Sequence, residues 1–583
     1  MLALLLVLAA ASPFQESLAK IARERGKDAQ RLHRIFDLAW EHDNDERPEV
    51  ATLRGVPGRN ARWTDLSLEA FARRKRETIS LAEAVRTIDR SKLGAKDQLD
   101  HDVFRRIVEE DVRSEKFPQE LLPVTQLAGP QYLSNVIDLM PARTLRDYQD
   151  ILARLDAIPP RLAQTEALLR RGIETSVVAP RVILRDVPAQ LAAQAPDDPL
   201  QAPLLKAFVK LPEGVPEQTR EQAVRTYREK VAPALARFRE FFVGEYLPRA
   251  RDTVALTALP DGAAWYAQRV RRETTTDLTP QQIHELGLSE VKRILGEMEK
   301  AKQQAGFTGT LAELAVFLRS DPRFYFKDAR ELVREYRDIA KRVDPELTRL
   351  FGKLPRLPYG VVEIPAFSAP SQTTAYYRPG SPQANRPGSY YVNTYKLETR
   401  PKWEMEALTL HESVPGHHLQ IALAQELPGV PEFRKFFNFT AYAEGWGLYA
   451  ESLGPELGLY QDPYSKLGQL NYEMWRAIRL VVDTGMHALG WSRQQAIDYF
   501  VQNSAKTEHD IVVEIDRYIA MPGQALAYKI GELKLKEMRA LASRELGEKF
   551  DIRAFHDMVL GNGGLPLDLL ETQVRGFIAQ RRR

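Results

Sequence analysis

The chain has 583 residues, of which 44% are hydrophobic and 28% charged, with a net charge of +3; this is the profile of a soluble globular protein with ample material for a core. Lys, Arg, Asp and Glu are interspersed, so there is no basic stripe of the kind that binds nucleic acid, and Arg581-Arg582-Arg583 reads as a solvated tail. The absence of Cys excludes disulfides, thiolate metal ligands and a lipid-anchored cysteine.

The chain opens MLALLLVLAAASP, with an apolar run from Leu2 to Ala11. The run is too short to span a bilayer, but it matches the apolar region of an export signal, and Ala9 and Ala11 supply an A-x-A cleavage site. Residues 1–11 are therefore read as a signal peptide, which implies a periplasmic or secreted protein without stable membrane insertion after cleavage. A cytoplasmic protein with a buried N-terminal helix is the alternative.

From Pro13 to about Arg170 apolar residues recur at helical spacing, and after a loop at Pro196–Pro203 helices resume with EQAVRTYREKVAPALARFREFF. The pattern predicts a helical lobe over residues 12–270 and a second lobe over 271–583. His284-Glu285 lacks a His four residues on and reads as a solvated helix feature. Between Leu354 and Trp403 the texture changes to the short β-prone runs YGVVEIP, TTAYYRPG and GSYYVNTY, which predict a small sheet over about 354–400. Gly388–Tyr395 is the candidate edge strand for an extended peptide, with Asn393 as a candidate substrate-binding side chain. Alternatively, its tyrosines pack between sheet and helix.

HESVPGHH, His411 to His418, follows. A common zinc signature sets two His at i and i+4 on one helix face, with Glu beside the first as base. Here the fourth position is Pro415, and His417 and His418 lie six and seven residues past His411. Neither pair could chelate one ion from a regular helix, where six residues climb roughly 9 Å. Pro415 cannot donate and clashes with the preceding turn, while Gly416 adds backbone freedom, so a bulged turn is expected between Glu412 and Gly416. If the bulge absorbs two residues, His417 takes the usual i+4 place and His418 turns toward a supporting partner; the choice between them stays open on spacing alone. A buried or helix-capping His cluster is the bland alternative.

A third ligand is offered by Glu444 in TAYAEGWGLYAE, whose aromatic and apolar residues recur at helical spacing. Gly445 and Gly447 would weaken that helix, which implies that another backbone packs close to it. Glu451, seven residues past Glu444, faces the same way and is placed to orient a ligand His. Glu444 could instead be a buried, hydrogen-bonded carboxylate. Further on, Arg479, Asp483 and His487 are spaced four apart on one helix face. They suit an Arg that grips a substrate carboxylate and a His that stabilises charge, or else an internal salt bridge.

Together HESVPGHHLQ, AEGWGLYAE, RLVVDTGMHALGWS and MPGQALAYKIG resemble the bacterial domain of unknown function 885 family, from about Phe14 to the C-terminus. The resemblance implies zinc peptidases similar in architecture to neurolysin-like and Taq-carboxypeptidase-like metallopeptidases. The expected fold is mostly α: a large two-lobed, zincin-like protein with a deep cleft and a small sheet beside the metal helix. His411, His417 and Glu444 would hold Zn²⁺ and Glu412 would act as base. By analogy with related peptidases, the Tyr528 hydroxyl, or His487, would steady the oxyanion. The expected partners are short or unfolded peptides. A metal-dependent hydrolase of another acyl bond and a non-catalytic metal-stabilised binding protein are the alternatives.

Overall fold

Helix starts follow side-chain caps in the sequence. Ser12, Thr144, Thr279 and Ser492 each accept from the backbone N–H three residues on, and Gln15, Asp147, Gln282 and Gln495 return the bond. The structure, a computed structural model, describes residues 10–366 and 369–583. The signal-peptide reading falls mainly on residues 1–9, outside the described residues. The fold is mostly helical with one small sheet, and no helix among the described residues is long and apolar enough to cross a membrane.

The described chain forms two compact units, 10–251 with Pro431–Phe433 and 252–430 with 434–583. The sequence pattern suggests a division near residue 270, but helix Gly262–Thr274 is tied into the second unit. Tyr266 donates to Asp483 at 2.6 Å and Arg269 to the Pro522 carbonyl at 3.2 Å. In the first unit Phe36, Phe104 and Phe433 pack with ring centres 4.9–5.1 Å apart, which explains why the short segment around Phe433 belongs there. A long helical stretch over residues 217–249 contains two π-turns, Tyr227–Val231 and Phe242–Tyr246. Each precedes a proline, Pro233 or Pro248, whose missing N–H a shifted ladder accommodates.

The second unit is built on helices α1 (Pro280–Gln304), α2 (Ala329–Val343), α3 (Met405–Glu412), α4 (His417–Gln425), α5 (Thr440–Glu451), α6 (Pro463–Ala488), α7 (Glu508–Ala520) and α8 (Ala527–Leu546). Every residue of α6 from Leu467 to His487 is buried, as expected of a helix that runs through a core. Its polar residues must therefore be paired. Glu473 meets Lys529 at 2.7 Å, Arg479 meets Glu514 at 3.1 Å, and Asp483 takes the Gly523 N–H at 3.1 Å. His284 on α1 joins this core, with Nδ1 2.9 Å from the Thr484 hydroxyl. It is buried, not solvated as its spacing suggests, although Glu285 is exposed.

The sheet comprises β1 (Tyr359–Glu363), β2 (Ala375–Arg378) and β3 (Gly388–Val392), in the order β1-β3-β2. β1 runs parallel to β3 and β2 antiparallel to it. The predicted strands form, but β3 lies in the centre and is not an edge, so its main chain is already spent on both neighbours. Gly388, Tyr390 and Val392 point into the core, where Tyr390 packs edge-on against Tyr336 of α2 at 5.6 Å.

Candidate metal centre

The α3 helix ends at Glu412 and α4 restarts at His417, with Ser413–Gly416 between them and a cis bond at Val414–Pro415. The turn is fixed from several sides. The His418 N–H reaches the Ser413 carbonyl at 3.0 Å, and the Trp446 indole N–H donates to the Pro415 carbonyl at 2.8 Å. A Cβ on Gly416 would lie 2.0 Å from the His411 carbonyl oxygen, so only glycine fits. The interruption brings the two ligand candidates together: the His411 and His417 rings are 4.7 Å apart, at 87°.

Glu444 on α5 completes the group. One ligand atom from each of His411, His417 and Glu444 falls within 4.8 Å of the others. Glu444 Oε2 lies 3.3 Å from His417 Nε2 and 3.6 Å from His411 Nε2. Tetrahedral ligands about 2.0–2.1 Å from a common ion sit roughly 3.3 Å apart. Glu444 Oε2 is buried, yet accepts no hydrogen bond, which a shared cation would explain. The donor set and its spacing therefore fit a zinc-sized cation.

Behind the group, His411 Nδ1 donates to Glu451 Oε1 at 2.8 Å, leaving Nε2 to face Glu444. Glu451, fully buried, is also 3.3 Å from Arg476. Burial opposes a charge on His411, but the facing carboxylate of Glu444 and the hydrogen-bonded one of Glu451 outweigh that and push it up to about 9. Burial would likewise raise Glu444, yet His417 and His411 hold its carboxyl well below the usual range. The cage thus favours a carboxylate facing positive charge, the state a cation would satisfy.

Glycine makes the close approach possible. A Cβ on Gly447 would lie 2.7 Å from the His411 ring, and one on Gly445 would lie 2.5 Å from the backbone of Gly531. Two different neighbours therefore explain the two glycines. Gly447 faces the ring of the ligand candidate on α3, while Gly445 faces α8.

Glu412 ends α3, directly after His411 in the chain. Its side chain makes no hydrogen bond or ion pair among the described residues, and it is largely buried. Tyr528 of α8 stacks over His411 with ring centres 6.4 Å apart, and its hydroxyl accepts from Arg517 at 3.3 Å. His418 turns away to the sheet, with Nδ1 2.8 Å from the Tyr377 hydroxyl and its ring 4.4 Å from that of Tyr359. Burial pushes its imidazole down to about 4.

Two expected roles do not match the geometry. His487 is fully buried, with Nδ1 accepting the Leu256 N–H at 3.0 Å and Nε2 donating to the Tyr518 carbonyl at 3.1 Å. Both ring nitrogens serve backbone, so it has no proton to offer an oxyanion. Asn393 is 1% exposed and donates to the carbonyls of Ala369, Gln372 and Thr373, at 2.8–3.1 Å. It closes the loop before β2 and is not free for a peptide. Arg479 does not pair with Asp483; it donates to Tyr518 and Glu514 and lies over the Tyr528 ring at 4.3 Å. Sequence reasoning missed Arg476 and Arg517, which lie on helices whose spacing gave no sign that they converge on Tyr528.

No curated protein matches the chain. The crystal structure of the "putative lipoprotein" from Colwellia psychrerythraea is similar over 95% of this chain and 100% of its own, with a TM-score of 0.89 and 28% identity. The structure of a "putative lipoprotein of unknown function" from Shewanella oneidensis covers 93% of this chain and 99% of its own, with a TM-score of 0.71. At 16% identity that likeness shows the fold alone. The model of a family described as bacterial protein of unknown function (DUF885) matches residues 48–574, and the chain belongs to that family.

Proposed function

We propose that the chain is a zinc-dependent peptidase that hydrolyses short or unfolded peptides. The observation that carries the reading is the His411, His417 and Glu444 group, in which a buried carboxylate oxygen without a hydrogen bond faces two imidazole nitrogens. His411 Nε2, His417 Nε2 and Glu444 Oε2 would hold the ion. When bound, zinc supplies a Lewis acid for a substrate carbonyl and lowers the pKa of a bound water to about 7. Glu412, with no partner among the described residues, is free to take a proton from the attacking water on its carboxylate and return it to the leaving nitrogen. The Tyr528 hydroxyl accepts from Arg517, so its own proton is available for a developing oxyanion. Glu451 holds His411 in the tautomer that presents Nε2. These roles together make the zincin-like reading of the helical fold.

We place the protein outside the cytoplasm. This rests on the apolar run Leu2–Ala11 and on the name of the similar structure from Colwellia psychrerythraea. The experiment that tests the function is zinc titration of the metal-free protein together with digestion of a mixed peptide library. The reading expects one tightly bound zinc and cleaved peptides. Replacing His411, His417 or Glu444 by Ala should abolish both, and a protein that binds no zinc while folded would refute it.

A further inference from the structure

A cavity of about 590 Å³ lies in the second unit where α3 begins, and none of its lining residues belongs to the metal centre. Small-molecule sites occupy roughly 300–1,000 Å³. Phe324, Ile339, Trp403 and Met405 give it a buried apolar floor, and charges of both signs stand around that floor.

Most of these charges are already engaged. Arg323 faces Asp321 at 3.3 Å, Arg342 serves Asp338 at 3.0 Å and stands 3.8 Å from Glu335, and Asp462 caps α6 through the Tyr464 N–H at 3.1 Å. Glu406 and Lys402 differ. The Glu406 side chain is 14% exposed and accepts the Tyr460 N–H at 2.8 Å, while Arg342 stands off at 3.7 Å. Burial pushes its carboxyl up, and Tyr460, Arg342 and Ser465 offset this only in part. Lys402 meets no carboxylate among the described residues. Its Nζ donates to the Arg323 carbonyl at 3.1 Å and lies 4.6 Å from the centre of the Phe326 ring.

Lys402 and Glu406 are four apart on the helical stretch 402–412. They therefore share one face, roughly 6 Å along it, at the spacing where Lys and Glu ordinarily pair. Here Lys402 is drawn aside onto Phe326 and no ion pair joins the two. An ammonium and a carboxylate held apart over an apolar floor match a ligand that carries both opposite charges on one carbon, with an apolar group beside them.

We propose that this cavity binds a free amino acid with a large apolar side chain, its ammonium on Glu406, its carboxylate on Lys402 and its side chain against Phe324, Trp403 and Met405. The site is separate from the metal centre, yet an occupant rests on the helix that presents it: α3 opens with Met405 and Glu406 and closes with His411 and Glu412.

The test is calorimetric titration of the zinc-loaded full chain with L-phenylalanine. One molecule should bind per chain. N-acetyl-L-phenylalanine, which lacks the ammonium, and L-phenylalaninamide, which lacks the carboxylate, should each bind about tenfold more weakly or worse, as loss of a charged hydrogen bond implies. Glycine, with nothing for the apolar floor, should also bind more weakly. Glu406→Gln keeps an acceptor for the Tyr460 N–H, and Lys402→Met keeps the aliphatic stem; each should weaken L-phenylalanine by a similar factor with melting unchanged. Glu412→Gln, at the metal centre, should bind it as wild type does. No saturable binding at roughly 10 mM ligand would overturn the assignment, as would equal binding of all four ligands. Binding that survives both cavity variants but falls in Glu412→Gln would place the ligand at the metal centre and overturn it as well.

Discussion

Glu451 Oε1 accepts the Nδ1 proton of His411 at 2.8 Å, and the same carboxylate lies 3.3 Å from Arg476. This ties the tautomer of one ligand candidate to a buried ion pair on α6. Carboxylates behind a ligating His typically contribute 10–100-fold in metal affinity. Glu451→Gln should therefore weaken zinc binding by about that factor in a chelator competition, with the helical circular dichroism unchanged. Unaltered affinity would mean that Glu451 serves only Arg476.

His417 and His418 are neighbours in sequence with opposite surroundings. His417→Ala should empty the cage, whereas His418→Phe should keep one zinc. The latter loses the bond to Tyr377 and so lowers thermal stability, by about 1 kcal/mol or more for a buried hydrogen bond. Zinc stoichiometry and melting of the two variants check this, and loss of zinc in His418→Phe alone would reverse the ligand assignment.

Gly445 and Gly447, two residues apart, should fail differently. Gly445→Ala drives a Cβ into the backbone of Gly531, which cannot swing aside. It should cost about 3 kcal/mol of stability while zinc still binds in the folded fraction. Gly447→Ala presses on the His411 ring instead, so it should lower zinc affinity more than stability. Thermal melts and zinc titration on both variants separate the two effects.

Asp483 sets a pH dependence of stability. Burial raises its carboxyl to about 7 despite bonds from Tyr266 and Gly523, against about 3.9 when unfolded. The folded state therefore holds a proton that the unfolded state has lost. The associated stability is fully present below about pH 4 and is lost as pH rises to 7, by a few kcal/mol. Asp483→Asn should flatten that segment of the stability profile in urea titrations from pH 4 to 8. An unchanged slope would show that Asp483 is ionised in the fold.

The parts of this site that were legible in sequence are those fixed by local rules. Pro415 and Gly416 cannot continue a helix, so the interruption that brings His417 beside His411 could be read directly, and Glu451 followed from helix spacing to Glu444. The strand segments were equally visible in their tyrosine-rich runs. Strand order was not, because β3 is central by virtue of pairing with residues some 30 and 15 positions away in the chain. His487 and Asn393 misled for a related reason: a polar side chain on an apolar background looks functional until its backbone partners, Leu256 and Tyr518 or the loop at Ala369, are known. Arg517 gave no signal because its importance lies in meeting Tyr528 across two helices.

The central claim is that a cation held by His411, His417 and Glu444 serves a reaction in which Glu412 carries the proton. It is tested most directly by measuring zinc content and peptide cleavage for wild type and Glu412→Gln side by side. The account predicts one zinc in each, with kcat reduced at least ~10²-fold in the variant. Equal cleavage by both proteins, or zinc in neither, would contradict it.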